Sequence, residues 1–182
     1  MTRSPIPNAR LDALTRSDFG IIAELGATIW RSHYASIIST AQIEYMLAGR
    51  YTPEKLQAYL KACDRWLMLL RLYDKPIGYC SYALTTEASE IKLEQLYLSA
   101  EYRHMGLGRM MLQHIEDQAR VHGATRLVLQ VNRFNTVAID FYRKAGFRIR
   151  QAAVFDIGCG FIMDDYVMEK PLRAGRIARS DD

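Results

Sequence analysis

The chain has 182 residues, 49% of them hydrophobic and 24% charged, which suits one globular domain with a core of its own. Its 24 basic and 20 acidic residues leave a net charge of +4 with no clustered basic stripe, which argues against a nucleic-acid partner. No apolar run reaches the roughly 18–20 residues of a membrane span, and the first residues lack a signal core of about 7–15 apolar residues, so a cytoplasmic protein with no membrane partner is expected.

After a polar opening, Thr15-Arg16-Ser17-Asp18 matches a capping box. Ile21, Ile22, Leu25, Ile29 and Trp30 follow at helical spacing. A second short helix carries Ile43, Met46 and Leu47. A third starts at Thr52-Pro53-Glu54, a cap followed by proline at the first helical position, and its apolar face is Leu56, Tyr59, Leu60 and Cys63. The period then changes. Trp66–Tyr73 and Ile77–Leu84 are short apolar runs, and Asp74-Lys75-Pro76 between them reads as the turn of a hairpin. A third strand spans about Glu90–Leu98. Leu107, Met110, Met111, Ile115 and Ala119 mark a helix that Gly123 ends. Arg126–Val131 is another strand. Asn135 caps a helix through Phe141 and Tyr142, stopped at Gly146. Phe147–Phe155 and Ile162–Met168 are the last two strands. A strand, a crossover helix and a strand in one sheet are parallel, while the first hairpin is antiparallel, so the sheet is mixed, with helices on its faces. Cys63, Cys80 and Cys159 form no Cys-x-x-Cys pair and read as buried thiols. The histidines show no metal-ligand spacing, and no metal is expected.

Arg103-His104-Met105-Gly106-Leu107-Gly108 lies between a predicted strand and a predicted helix. A helix N-terminus offers unpaired N–H groups and positive potential, and glycines let an anion approach them. This is an anion site, with a plain tight turn as the alternative. A dinucleotide fingerprint is excluded because Met111 stands where its third glycine belongs, and no Gly-Lys-Ser/Thr tripeptide exists for a P-loop.

Leu96-Tyr97-Leu98-x-x-Glu101-Tyr102-Arg103-x-x-Gly106-x-Gly108 resembles the acetyl-CoA signature of the GNAT acyltransferase superfamily, Arg/Gln-x-x-Gly-x-Gly/Ala. Asn135-x-x-Ala138-Ile139-x-Phe141-Tyr142-x-x-x-Gly146-Phe147 resembles the second motif of the same superfamily. The resemblance covers most of Ile77 to Pro171. It departs from the pattern at Ala100, where proline is common, and at His104, where glycine is common. It implies a mixed α/β (α+β) three-layer fold, with a central sheet of about 6–7 strands whose central parallel strands splay at the cofactor site. One such domain would occupy residues 1–172, with 173–182 as a flexible C-terminal tail.

The resemblance also implies an acetyl-CoA-dependent N-acetyltransferase. The pyrophosphate would rest on backbone from Arg103 through His104, Met105, Gly106, Leu107 and Gly108 to Arg109. Arg103, Arg109 and Arg133 are candidates to neutralise its charge. Leu96, Tyr97 and Leu98 would line the pantetheine, with the Leu98 N–H as oxyanion donor. Tyr142 would be the general acid, and Asn135 would both cap its helix and touch the cofactor. Glu94 is the candidate base through water, with Glu90 and a backbone-held water as alternatives. Acceptor specificity in this superfamily comes from the N-terminal helices and the loop between the last strands. Here Trp30, His33, Tyr34 and the segment Asp156–Asp165 stand there, and Trp30, Tyr34 and Glu94 are the substrate-binding candidates. The expected acceptor is a small primary amine such as a polyamine. Protein N-terminal or lysine acetylation, and a non-catalytic acetyl-CoA sensor, stay open, as does a homodimer.

Overall fold

The computed structural model describes residues 6–172; the expected tail, 173–182, lies outside them. In chain order the elements are β1 (Ala9–Ala13), α1 (Phe19–Tyr34), α2 (Thr40–Arg50), α3 (Pro53–Lys61), β2 (Arg65–Leu72), β3 (Lys75–Leu84), β4 (Glu90–Leu98), α4 (Leu107–Val121), β5 (Arg126–Asn132), α5 (Thr136–Lys144), β6 (Arg148–Gly158) and β7 (Phe161–Pro171). The strands form one seven-stranded sheet in the order β1-β2-β3-β4-β5-β7-β6. Only β4 and β5 are parallel, and every other neighbouring pair is antiparallel. No helix among the described residues is long and apolar enough to cross a membrane.

Local chemistry accounts for most element ends. The capping box forms, with the Thr15 N–H donating to Asp18 Oδ2 at 2.9 Å, and it opens a single 3-10 turn ahead of α1. Asp18 also accepts from Arg71 of β2 at 2.7 Å, which ties that turn to the sheet. Thr52 caps α3 through the Lys55 N–H, with Pro53 at the first position. Gly123 and Gly146, with φ of 75° and 95°, end α4 and α5 in the left-handed region where side chains are disfavoured.

Three expectations need correction. The polar opening contains β1, a short edge strand that pairs with β2 from Ala9↔Leu72 to Ala13↔Met68. The hairpin turns one residue earlier than expected. Tyr73 and Asp74 both have positive φ, as a two-residue turn demands, and Pro76 sits inside β3, where the register slips opposite Leu70 and Arg71. Of the cysteines only Cys80 is buried; Cys63, which lies beyond the end of α3, and Cys159 are exposed.

The sheet divides the core in two. Ile91, Leu93, Leu127, Leu129 and Val131 pack against Leu107, Met111, Ile115 and Ile139 of α4 and α5. Leu67, Leu69 and Tyr79 pack on the opposite face against Ile22, Ile29 and Leu56 of α1 and α3, with Trp30, Tyr34 and Ile43 beside them. The two faces meet at one opening. β4 and β5 pair only from Glu90↔Arg126 to Leu93↔Leu129 and then part, so Glu94–Leu98 and Gln130–Asn132 do not bond to each other.

Candidate active site

The opening is built by a register slip. Ser81 of β3 pairs with Gln95, but Tyr82 pairs with Leu93, leaving Glu94 as the extra residue of a β-bulge. The bulge turns Glu94 and Gln95 to the same side. Glu94 Oε2 accepts from the Tyr59 hydroxyl at 3.1 Å, and the Gln95 amide donates to that hydroxyl at 3.4 Å. The Tyr51 hydroxyl lies 3.4 Å from Gln95 Oε1 and also bonds Tyr79. Donors thus run from Tyr79 through Tyr51, Gln95 and Tyr59 to end on the Glu94 carboxylate. Sequence reasoning missed this chain. Its signal was present in the consecutive polar pair Glu94-Gln95, which breaks the alternation of β4.

Past the bulge, Leu96 and Leu98 lean on the α4 side, and Tyr97 points to α1. The Ser99 N–H bonds the Ile77 carbonyl of β3 at 2.9 Å. Peptide groups alternate sides along an extended strand, so the Leu98 and Leu96 N–H groups face the opening instead. Gly78 sits opposite Leu98, and a Cβ there would lie 2.6 Å from the Tyr97 carbonyl oxygen. Only glycine lets β3 approach the end of β4 this closely.

The glycine loop closes one side of the opening. His104 has φ of 65° and Gly106 φ of 85°, and α4 starts at Leu107. The positive φ explains why glycine is common at the position of His104; histidine accepts that region more readily than most residues. The N–H groups of His104, Met105 and Gly106 have no hydrogen-bond partner among the described residues, and those of Leu107, Gly108 and Arg109 head the helix. A Cβ on Gly108 would meet only Phe141, at 3.6 Å, an ordinary contact. The protein's own packing therefore does not require glycine there, whereas a phosphate lying on the backbone would. The loop fits the pyrophosphate of acetyl-CoA on both counts. Arg109 and Met105 are exposed, and Leu107 buries its side chain while its N–H faces outward. Arg133 is engaged, bonding Asp164 at 2.9 Å.

Three tyrosines gather at the opening. Tyr142 of α5 is buried at 8% exposure, and its hydroxyl has no hydrogen-bond partner among the described residues. Burial, then Tyr97 and Cys80, push its ionisation far above the ordinary phenol value, so it stays protonated. Tyr97 and Tyr34 share a hydroxyl contact at 3.4 Å. Burial raises Tyr97 as well, Arg50 opposes that, and Asp165 adds to it. Trp30 is a core residue at 2% exposure, packed on Tyr34 in a tilted ring pair at 4.6 Å with the Arg50 guanidinium 5.0 Å from its ring.

His33 joins the glycine loop to the start of α5. Its Nε2 lies 3.2 Å from Asn135 Oδ1, and its Nδ1 lies 3.3 Å from an Arg103 guanidinium nitrogen. Since Arg103 must donate, the neutral ring carries its proton on Nε2 and gives it to Asn135. Burial and then Arg103 hold His33 below the ordinary imidazole value, against the pull of Asn135. Asn135 also accepts from the Ala138 N–H at 3.3 Å, so the expected cap is formed. Glu90 stands at the paired end of β4, ~26 Å from Leu98 at strand rise, with Arg126 and Arg150 both 2.9 Å from its carboxylate.

A mixed sheet that parts at one bulge, with a glycine-lined helix start on one side and a protonated tyrosine at the gap, defines an acyl-CoA-dependent acyltransferase. The Acetyltransferase (GNAT) family model matches residues 30–147, and the chain belongs to that family. It is 29% identical over 155 residues to the spermidine N(1)-acetyltransferase of Thermoplasma acidophilum, covering 83% of this chain and 92% of that one. The crystal structure of PaiA N-acetyltransferase from Thermoplasma acidophilum in complex with coenzyme A superposes with a TM-score of 0.76 at 25% identity, over 90% of this chain and 98% of that one. The [ribosomal protein bS18]-alanine N-acetyltransferase of Salmonella typhimurium is 34% identical over 85 residues, 46% of this chain and 56% of that protein. The protein is an N-acetyltransferase that uses acetyl-CoA.

Proposed function

We propose that the acceptor is a primary amine of a small molecule, a polyamine or similar alkylamine, and that it attacks directly with Tyr142 as general acid. The observation that carries this is Tyr142, whose side chain is buried at the β4–β5 opening and whose hydroxyl stays protonated with no hydrogen-bond partner among the described residues. A hydroxyl with no structural bond at the mouth of a buried side chain is free for a ligand. The near full-length similarity to a spermidine acetyltransferase supports a small amine. The similarity to the ribosomal-protein acetyltransferase spans less than half of this chain, which makes a protein acceptor the second reading.

Acetyl-CoA supplies an activated acyl group. The loop from Arg103 to Arg109 holds its pyrophosphate on backbone N–H groups, with Arg103 as the nearest cation. Leu96, Tyr97 and Leu98 line its pantetheine arm. The Leu98 N–H stabilises the carbonyl oxygen as charge develops there, a contribution of about 3–4 kcal/mol for such a donor. Asn135 holds α5 in register beside the cofactor, and Tyr142 gives its proton to the departing sulfur. Trp30 and Tyr34 form the apolar wall of the acceptor side, and Glu94 adds negative charge toward α3.

Purified protein with acetyl-CoA and a panel of polyamines, amino acids, aminoglycosides and N-terminal peptides tests this through free thiol release. Turnover on an alkylamine, lost by about 100-fold or more in Tyr142→Phe with acetyl-CoA affinity unchanged, is expected. Turnover confined to peptides would move the assignment to the protein-acceptor reading. Acetyl-CoA binding without turnover on any amine would leave a sensor.

A further inference from the structure

Two buried polar atoms among the described residues stand on the acceptor side without a hydrogen-bond partner: Asp165 Oδ1 and Trp30 Nε1. Asp165 is 6% exposed, and an unpaired carboxylate oxygen out of water is costly and rarely kept without use. Asp165 pairs with Asn132 of β5, three residues past Leu129, where β5 last touches β4. Val131 and Met168 face α4 and α5, so alternation turns Asp165 to the other side, the side of Trp30, Tyr34 and Tyr97. Its neighbour Asp164 is matched by Arg133, but among the described residues no lysine or arginine pairs with Asp165. Of the charged and titratable groups that face it, Lys92 of β4 attracts it without pairing and bonds the neutral Gln130 at 2.8 Å, and Tyr97 is shared with Arg50 of α2, Tyr34 of α1 and Tyr142 of α5. Glu94, by contrast, is bonded to Tyr59 and looks toward α3.

We infer that Asp165 is the carboxylate that receives the acceptor's alkylammonium group and takes its proton during acetyl transfer. The inference rests on the small-amine reading above. An arriving ammonium passes one proton to Asp165, which releases it to water. The neutral nitrogen then bonds to the thioester carbonyl carbon in place of sulfur, while Tyr142 protonates the departing sulfur and Asp165 takes the second N–H proton. Asp165 returns that proton through water to the Tyr142 oxygen, which restores both groups. Burial, with Asp164 adding and Lys92 opposing, pushes the Asp165 carboxyl up to about 6, so it is ionised at neutral pH and still able to accept a proton.

Two measurements test this. Calorimetry with coenzyme A-loaded protein, titrated with spermidine and with butane-1,4-diamine at pH 8, reads the binding role. Asp165→Asn should bind both probes at least about 10-fold more weakly, with coenzyme A affinity and circular dichroism unchanged. The pH profile of kcat/KM reads the proton role. The parent should lose activity below about pH 6, Asp165→Asn should fall by about 100-fold and lose that acid limb, and Glu94→Gln should keep it. A parent that binds neither probe, or an Asp165→Asn that binds them equally and keeps the limb, overturns the inference. Diamine binding that depends on Asp165 without thiol release from any amine upholds the ammonium site and overturns the enzymatic reading instead.

Discussion

At the scale of the residue, the site is a set of groups left free by the rest of the molecule. Tyr142 has no bond to lose, so Tyr142→Phe should melt at the parent temperature in scanning calorimetry while turnover collapses. Gly108 separates packing from ligand binding more sharply. An alanine there meets only an ordinary contact with Phe141 and improves helix propensity by about 0.5–1 kcal/mol. Gly108→Ala should therefore unfold at equal or higher urea concentration, yet bind acetyl-CoA at least about 10-fold more weakly, because the methyl group occupies the approach to the N–H groups. An alanine variant that binds normally would remove the phosphate from this loop. The roles proposed for these two residues were legible in the sequence because each is carried by a motif of fixed spacing. Asp165 was not, because one aspartate among the nine from Asp12 to Asp165, at no special spacing, carries no sign of which oxygen is left without a partner.

At the scale of the element, the end of β4 is what the site depends on. The bulge at Glu94 re-aims the strand, and Gly78 lets β3 follow it closely. Gly78→Ala forces a Cβ against the Tyr97 carbonyl, a backbone atom that cannot rotate away. We expect about 1–3 kcal/mol of lost stability by urea unfolding, and a drop in kcat larger than the change in KM for the amine, since Leu98 and Tyr97 shift together. Gly78→Ala with wild-type kcat would show that the strand end tolerates the shift. The apolar pattern predicted β4 and its length correctly. It did not predict where β5 lets go, because pairing depends on the partner strand and on a register slip one residue long.

At the scale of the whole molecule, the sheet is tied at one end and open at the other. Glu90 and Glu169 hold Arg126, Arg148 and Arg150 at the tied end. Glu90→Gln should cost about 1–2 kcal/mol of unfolding free energy, because it removes charged hydrogen bonds to Arg126 and Arg150, which stay half-exposed and near Glu169, and should leave kcat unchanged. Loss of kcat with full stability would instead restore Glu90 as a candidate base. The pH dependence of stability combines opposite signs. His33 and His114 are held below the ordinary imidazole value, chiefly by burial, so the unfolded chain binds more protons and stability falls as pH drops below about 6.5. Asp165 is raised from 3.8 to about 6, so its contribution is present at low pH and is lost as pH rises through about 6. Asp165→Asn should accordingly melt above the parent at pH 7–8, and the difference should vanish below about pH 4. A variant less stable than the parent at pH 8 would mean that the carboxylate is paired.

By itself the sequence determined the kind of protein this is. Helical and strand periods, caps and glycine stops are local, and the two motifs from Leu96 to Gly108 and from Asn135 to Phe147 set backbone and tyrosine in a fixed relation along the chain. Only the tertiary structure decided which side chains line the gap between β4 and β5. That choice depends on β4 and β5 parting after Leu93 and Leu129, on a bulge that turns Glu94 and Gln95 to one side, and on β7 carrying Asp165 to the gap from far along the chain. Register and burial are relations between distant segments, and a carboxylate becomes a site only when its neighbours leave it unpaired.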